Sequence, residues 1–309
     1  MTTESKTDVT GAPPVRSSAL LGHVEYNFLS LGAGVQSSTL ALMAAYGHVT
    51  PLPDAAIFAD TQAEPDEVYA WLSYLEEQIK AAPHPFPVYR VTAGNLTNDV
   101  LRVRHVQSDG HNHPKGTAYM NKMIPVFGLA ADGKRTAALG RRCTFDYKIR
   151  PVVKKARALA QIRRGQKYPT VTQWIGISYD EIQRMKDPRE PWIRHRWPLV
   201  DMKMRRKDCL VWMKANGFRE PPRSACYYCP FHSDDEWMRI RDNDSKSWQS
   251  AIAFDKELRR KFREEDQTLK MEVYLHSSCK PLDEVKLGEP ASDQLEWNMQ
   301  AECEGMCGV

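Results

Sequence analysis

An α/β fold with a doubly wound, mostly parallel sheet and a helical C-terminal region is what this sequence predicts. Three observations predict it. Short apolar runs alternate with helical patterns through roughly the first 180 of 309 residues, the order that builds parallel sheets. The first run, ending Phe28-Leu-Ser-Leu31, passes through Gly32-Ala-Gly34 directly into an apolar helix that begins Val35-Gln-Ser-Ser-Thr-Leu. Beyond about residue 196 the pattern changes to amphipathic helices.

The elements follow in order. Ala55–Ala59 is a short apolar strand that ends at Asp60. Glu64-Pro65 opens a helix through Gln78, with Val68, Trp71, Leu72 and Leu75 at helical spacing. Val88–Val91 is a strand, Val152–Arg164 a helix, and Val171–Ile177 a β-rich run. Residues 95–140 are polar and Gly/His-rich, and read as an insertion or mobile lid in which His111 and His113 are solvent residues or metal ligands. Arg205–Asn216, Asp234–Ile240 and Trp248–Glu265 are helices, and Val273–Leu275 is a strand. The expected organisation is a disordered leader (1–22), a nucleotide-binding α/β domain (23–200), a helical, cysteine-bearing region (201–287) and a flexible tail (288–309).

Composition narrows the class. Apolar content of 42% and charged content of 27% suit a globular protein. No apolar run reaches the length of a membrane span, so no membrane association is expected. Met1–Leu21 has no basic start or apolar core, which argues against a signal peptide and for a cytoplasmic location. A net charge of +4 does not by itself point to nucleic acid, but almost every charge between Lys134 and Arg164 is basic, which suits a polyanion, a nucleotide's phosphates or a solvated helix face. Seven cysteines without a secretory signal point to metal binding or chemistry rather than a disulfide framework.

The loop after the first strand is built for an anion. Gly32 and Gly34 permit a tight turn, Ser37, Ser38 and Thr39 offer hydroxyls, and the helix start offers N–H groups and a positive dipole end. It lacks the lysine of a Walker A loop, and Ser37 stands where a dinucleotide fingerprint needs its third glycine. Positive charge must come from elsewhere, and Arg142, Lys148 and Arg150 can supply it. In a parallel sheet the loop would share the carboxyl end with the turns at Asp60–Gln62 and Gly176–Ser178. Glu181 and Arg184 either add to this site or form a surface ion pair.

Cys226-Tyr-Tyr-Cys229-Pro230 can ligate one metal centre, whether zinc, iron–sulfur or neither as a redox dithiol. Cys143, among cations that favour its thiolate, is the best third ligand, and His232 keeps a zinc reading open. Cys209 reads as a buried helix residue, and Cys279 and Cys303 have no assigned role. Cys307, next to the end of the chain, is a mobile nucleophile or a stray thiol.

Taken together, Ser30–Ser38, Phe58-Ala-Asp60-Thr61-Gln-Ala-Glu64-Pro65, Cys143-Thr-Phe-Asp-Tyr-Lys148-Ile-Arg150-Pro151 and Gly176-Ile-Ser178 resemble the phosphoadenosine phosphosulfate reductase family. That family belongs to the PP-loop ATP pyrophosphatases, the adenine nucleotide alpha hydrolases. The resemblance covers about residues 25–235, with Gln36 standing where the superfamily loop has aspartate. The Cys226–Cys229 segment looks more like the iron–sulfur-bearing relatives: adenylyl-sulfate reductases, and the ATP pyrophosphatases of DNA phosphorothioation and of tRNA thiolation. The resemblance implies ATP, with Mg2+, on Ser30, Gly32, Gly34, Gln36, Ser37, Ser38, Asp60, Thr61 and Gly176. It implies a 4Fe–4S cluster, or zinc, on Cys143, Cys226 and Cys229, and catalytic roles for Cys307, Arg142, Lys148 and Arg150.

The implied function is adenylation of a nucleic acid for sulfur incorporation, with DNA favoured over tRNA and a cysteine desulfurase as sulfur donor. A small-molecule acceptor and a homodimer stay open. The alternative is a phosphoadenylyl- or adenylyl-sulfate reductase that releases sulfite, with Cys307 as nucleophile and a thioredoxin-like reductant. A nucleotide-sensing protein without chemistry is a third class, supported only by Gln36.

Overall fold

The computed structural model describes residues 25–109 and 113–288. The expected leader, most of the tail, Cys303, Cys307 and His111 therefore lie outside the described residues.

The chain opens with β1 (Tyr26–Leu31), α1 (Val35–Ala45), β2 (Ala55–Asp60), α2 (Asp66–Ala81) and β3 (Val88–Thr92). A short helix α3 (Leu96–Val100) and strands β4 (Val103–His105), β5 (Ala118–Met120), β6 (Val126–Ala130) and β7 (Arg135–Leu139) follow. A π-helical turn, Thr144–Ile149, leads into α4 (Arg150–Leu159). Next come β8 (Val171–Ile175), a 3-10 turn (Tyr179–Arg184), β9 (Ile193–Arg196), α5 (Pro198–Asp201) and α6 (Arg206–Ala215). The described chain closes with α7 (Asp234–Asn243), α8 (Ser245–Glu264), β10 (Met271–Tyr274) and a 3-10 turn, Leu282–Glu284.

Five strands form a parallel sheet in the order β3-β2-β1-β8-β9, with helices on both faces. The chain winds outward from β1 in one direction and returns to its other side with β8. Ligands of such sheets bind at that reversal, beyond the carboxyl ends of the strands. Alternation along the strands divides the sheet's two faces. Leu29, Leu31, Ala56 and Phe58 point into a core with α1, α2, α5 and α6. Phe28, Ala55, Ile57 and Val171 point the other way, against α4. Every residue of α1 is buried, so its polar residues need partners inside the protein. Leu199, Cys209 and Met213 join the first core, so the chain completes that layer after residue 200 before entering the C-terminal helices.

The 95–140 segment differs from the lid expected of it. Leu96, Val100, Met120, Met123, Ile124 and Val126 pack with Trp237, Phe254, Leu258 and Val273 in a second core. β6 pairs antiparallel with both β7 and β10, tying the segment to the C-terminal region through backbone hydrogen bonds. Its apolar residues concentrate after residue 117, and burying them outweighs the freedom a lid would need. His113 is exposed. No described helix is long and apolar enough to cross a membrane.

Candidate functional site

The loop between β1 and α1 lies at the sheet's reversal and is wholly buried. Its left-handed residue is Ala33 (φ 58°), while Gly34 caps the helix with φ −90°. The glycine requirement sits elsewhere, at Gly176 beyond β8. A Cβ there would lie 2.9 Å from the Ser37 nitrogen and 3.0 Å from its Cα, both backbone atoms that cannot swing aside. Gly176→Ala is expected to destabilise the protein by about 1–3 kcal/mol in urea titrations, because either the loop or β8 must shift. A change below about 0.3 kcal/mol would show that the loop is free to move.

The loop's hydroxyls are already engaged. Gly32 N–H donates to Ser37 Oγ (3.1 Å), and Ser38 Oγ accepts from Trp71 Nε1 (3.0 Å). Thr39 Oγ1 donates to the Val35 carbonyl (2.8 Å). Ser30 points to the opposite face, where its Oγ accepts from Gln173 Nε2 (2.6 Å). Burial and these bonds give Ser30 and Ser38 positioning roles within the fold.

Gln36 connects the loop to the segment after β8. Its Nε2 donates to Ser178 Oγ (3.4 Å) and Glu181 Oε2 (3.1 Å), and its Oε1 accepts from Arg206 Nη1 (3.2 Å). An amide serves here because it both donates to a carboxylate and accepts from a guanidinium. Arg184 completes the group. Its side chain is only 9% exposed, and Nη1 lies 2.7 Å from Glu181 Oε1 as an ion pair, off hydrogen-bond geometry. Its Nη2 is buried with no hydrogen-bond partner among the described residues. A buried guanidinium with unused donors, one carboxylate removed from a phosphate-type loop, is poised for an anion.

The end of β2 carries the second part of the site. Asp60 Oδ1 accepts from Gln62 N–H (2.7 Å) and Tyr69 OH (2.8 Å), and burial beside that carboxylate raises the Tyr69 phenol well above its usual range. Thr61, fully buried, holds Cys226 Sγ at 3.4 Å. Next to them Glu64 is sealed in: its Oε1 lies 3.4 Å from Lys148 Nζ, and its Oε2 accepts from Ser224 Oγ (3.4 Å). The sequence marks Glu64 as a helix opener and as part of the Phe58–Pro65 segment, without a site role of its own. The charge of Lys148 is thus met by a buried carboxylate. Arg142 is exposed and pairs with Asp146 (3.2 Å). Arg150 makes no ion pair among the described residues and faces two cavities. The larger, about 610 Å³, lies beyond β3 and holds the cations Arg104, Arg142, Arg150 and Lys154 against Asp146.

Cys226 and Cys229 occupy one turn, closed by Cys229 N–H donating to the Cys226 carbonyl (2.9 Å). His232 returns to the same carbonyl through Nε2 (3.0 Å). Cys143 packs on the second core beside Cys226. Burial, then the nearby Glu64 carboxylate, pushes the Cys226 thiol far up, while Lys148 and Thr61 pull it down. A thiolate there needs a strong positive partner, as a metal would be. Among the described residues, no three His, Cys, Asp or Glu side chains are arranged to hold a metal ion. Cys209 is buried on α6, and its thiol is pushed up to about 12 by burial.

No protein-family model and no curated protein matches this chain. Its functional reading therefore rests on the loop, the buried cations and the cysteine turn.

Proposed function

We propose that this protein is a PP-loop ATP pyrophosphatase that adenylates a nucleic acid for sulfur incorporation, with DNA phosphorothioation as the favoured form. The observation that carries the reading is Arg184, a buried guanidinium with unused donors, linked through Glu181 to Gln36 of the loop. The β- and γ-phosphates of ATP would lie along the start of α1, where backbone N–H groups and the helix dipole meet them. Arg184 would offset the charge that grows on pyrophosphate as a phosphate oxygen of the acceptor bonds to the α-phosphorus. Pyrophosphate leaves with the electron pair of the broken bond. The outer sulfur of a persulfide, on a cysteine desulfurase or carried by Cys307, then attacks the acceptor phosphorus, AMP leaves with the electron pair of the broken P–O bond, and a thiol reductant cleaves the remaining S–S bond to leave the sulfur on the acceptor.

Under the same proposal Cys143, Cys226 and Cys229 would hold a 4Fe–4S cluster, which would supply sulfide, or a zinc ion, which carries no sulfur of its own and would fix the turn. Iron, zinc and acid-labile sulfide content of anaerobically purified protein tests that assignment. The basic cavity beyond β3 would hold the acceptor's phosphates.

Arg184→Ala is expected to lower the rate of pyrophosphate release from ATP by about a hundredfold, the usual scale for one preorganised charge-stabilising donor. Pyrophosphate assays on labelled ATP with single-stranded and duplex DNA check this. An unchanged rate would return Arg184 to a structural ion pair. A second reading, reduction of phosphoadenylyl sulfate, is favoured by Gln36, a neutral side chain at the superfamily's aspartate position. Sulfite release with a thioredoxin-like reductant, and no pyrophosphate from ATP, would replace the first reading with this one.

A further inference from the structure

Elements far apart in the sequence line the cavity of about 610 Å³ beyond β3. Thr92 comes from the end of β3, Arg104 from β4, and Arg150 and Lys154 from α4. Thr92 is the direct register partner of Asp60, and its Oγ1 accepts from Gln62 Nε2 (3.5 Å). The cavity therefore starts one strand away from the end of β2 and the candidate nucleotide site.

Its lining holds more positive charge than the protein neutralises. Arg142 is met by Asp146 in the same lining. Arg104, Arg150 and Lys154 make no ion pair among the described residues. Arg104 Nε is buried with no hydrogen-bond partner among the described residues. Arg150 and Lys154 are exposed and stand four residues apart on α4, neighbours on one helix face, where like charges repel. Cations held together against that repulsion suit an anion that bridges them.

Size and stiffness choose the form of that anion. A cavity of about 150 Å³ holds one six-membered ring. About 610 Å³ therefore admits roughly two nucleotide units, whose flanking phosphates number about one for each unpaired cation. A single strand can bend its backbone into such a recess. A duplex is stiff over lengths far beyond the recess and can only lie across its mouth. Tyr147, the aromatic residue of the lining, is 4% exposed and donates to Asp99 (2.5 Å), so it offers no free ring face to a base. The recess is built for phosphates rather than for base edges.

We infer that this recess seats a single strand of nucleic acid by about three consecutive phosphates, on Arg104, Arg150 and Lys154, and that it disfavours a duplex. The inference rests on the reading of nucleic acid as the sulfur acceptor, and narrows that acceptor to a single-stranded segment.

The test is fluorescence anisotropy of the full chain with a labelled DNA strand of about twelve nucleotides, and with the duplex of the same sequence, over a series of salt concentrations. The strand is expected to bind about tenfold more tightly than the duplex at equal salt. Three phosphate contacts on a single strand give a slope of log K against log salt of about −2, from about −0.7 for each contact. Lys154→Gln, a change at an exposed side chain, is expected to weaken strand binding about tenfold and to make the slope shallower by about 0.7. Arg104→Gln is expected to do the same. Lys214→Gln, at an exposed cation of α6 outside the cavity, is the control and should leave the slope unchanged. An unchanged slope in both cavity variants would overturn the seat. Equal binding of strand and duplex would overturn the preference for a single strand. Displacement of the strand by an equal concentration of ATP would assign the cavity to the nucleotide instead. Each of these three results leaves the nucleic-acid reading standing, whereas binding of neither strand nor duplex would overturn both.

Discussion

Replacing Lys148 with Met is expected to destabilise the protein by about 3–5 kcal/mol, more than any other single substitution proposed for this site. The Lys148 side chain is 10% exposed and that of its partner Glu64 is 1% exposed, with 3.4 Å between Nζ and Oε1. Water cannot replace the lysine, so the substitution leaves a buried carboxylate beside the neutral Ser224 hydroxyl in place of a cation. Desolvation of an unpaired charge is the larger part of the loss. The double variant Lys148→Met with Glu64→Leu removes both charges together and is expected to recover most of the stability. Urea unfolding of the two variants decides the point. A single variant that loses less than about 1 kcal/mol would mean that Glu64 takes a proton or reaches water, and the sealed pair would be the wrong description. The same substitution bears on the cysteine turn, since Lys148 is one of the groups that draw the Cys226 thiol downward.

That pair also shows where the sequence was readable. The strand–loop–helix from β1 to α1 was legible because apolar runs and a Gly/Ser break are local signals. Asp60 and Thr61 were legible for the same reason, as the end of an apolar strand. Glu64 and Lys148 lie 84 residues apart, and no local pattern joins them. Gly176 against Ser37 is a contact of the same kind: the glycines inside the loop drew attention, while the close approach was required across β8. The second core was hidden by its surroundings. The polar residues before 117 diluted the apolar cluster at Met120–Val126, whose partners Phe254 and Val273 come late in the chain. Gln173 looked like one polar residue in a β-rich run, and its unpaired carbonyl is visible only once β8 is placed beside β9.

Acidification is expected to destabilise the protein through His232. This imidazole is buried, and burial, then the positive charge of Arg223, lowers its pKa from 6.5 to about 4. Nε2 lies 3.0 Å from the Cys226 carbonyl, so Nε2–H is the donor, and Nδ1 is buried with no hydrogen-bond partner among the described residues. A proton on Nδ1 would place a charge in a buried site beside the Trp237 ring, whose centroid is 4.7 Å away, where Arg223 repels it more than Glu236 attracts it. The unfolded chain accepts that proton near pH 6.5, whereas the folded chain resists it until about pH 4. Between those values the unfolded state binds more protons, so stability rises with pH. The contribution is complete above about pH 6.5 and is lost as pH falls toward 4, a total of about 3 kcal/mol. Carboxylates elsewhere also titrate in this window, so the measurement is a difference. The stability advantage of the unaltered protein over His232→Gln should shrink by about 3 kcal/mol between pH 7 and pH 4 in urea titrations. A pH-independent difference would place a proton on His232 in the folded protein, or water beside it.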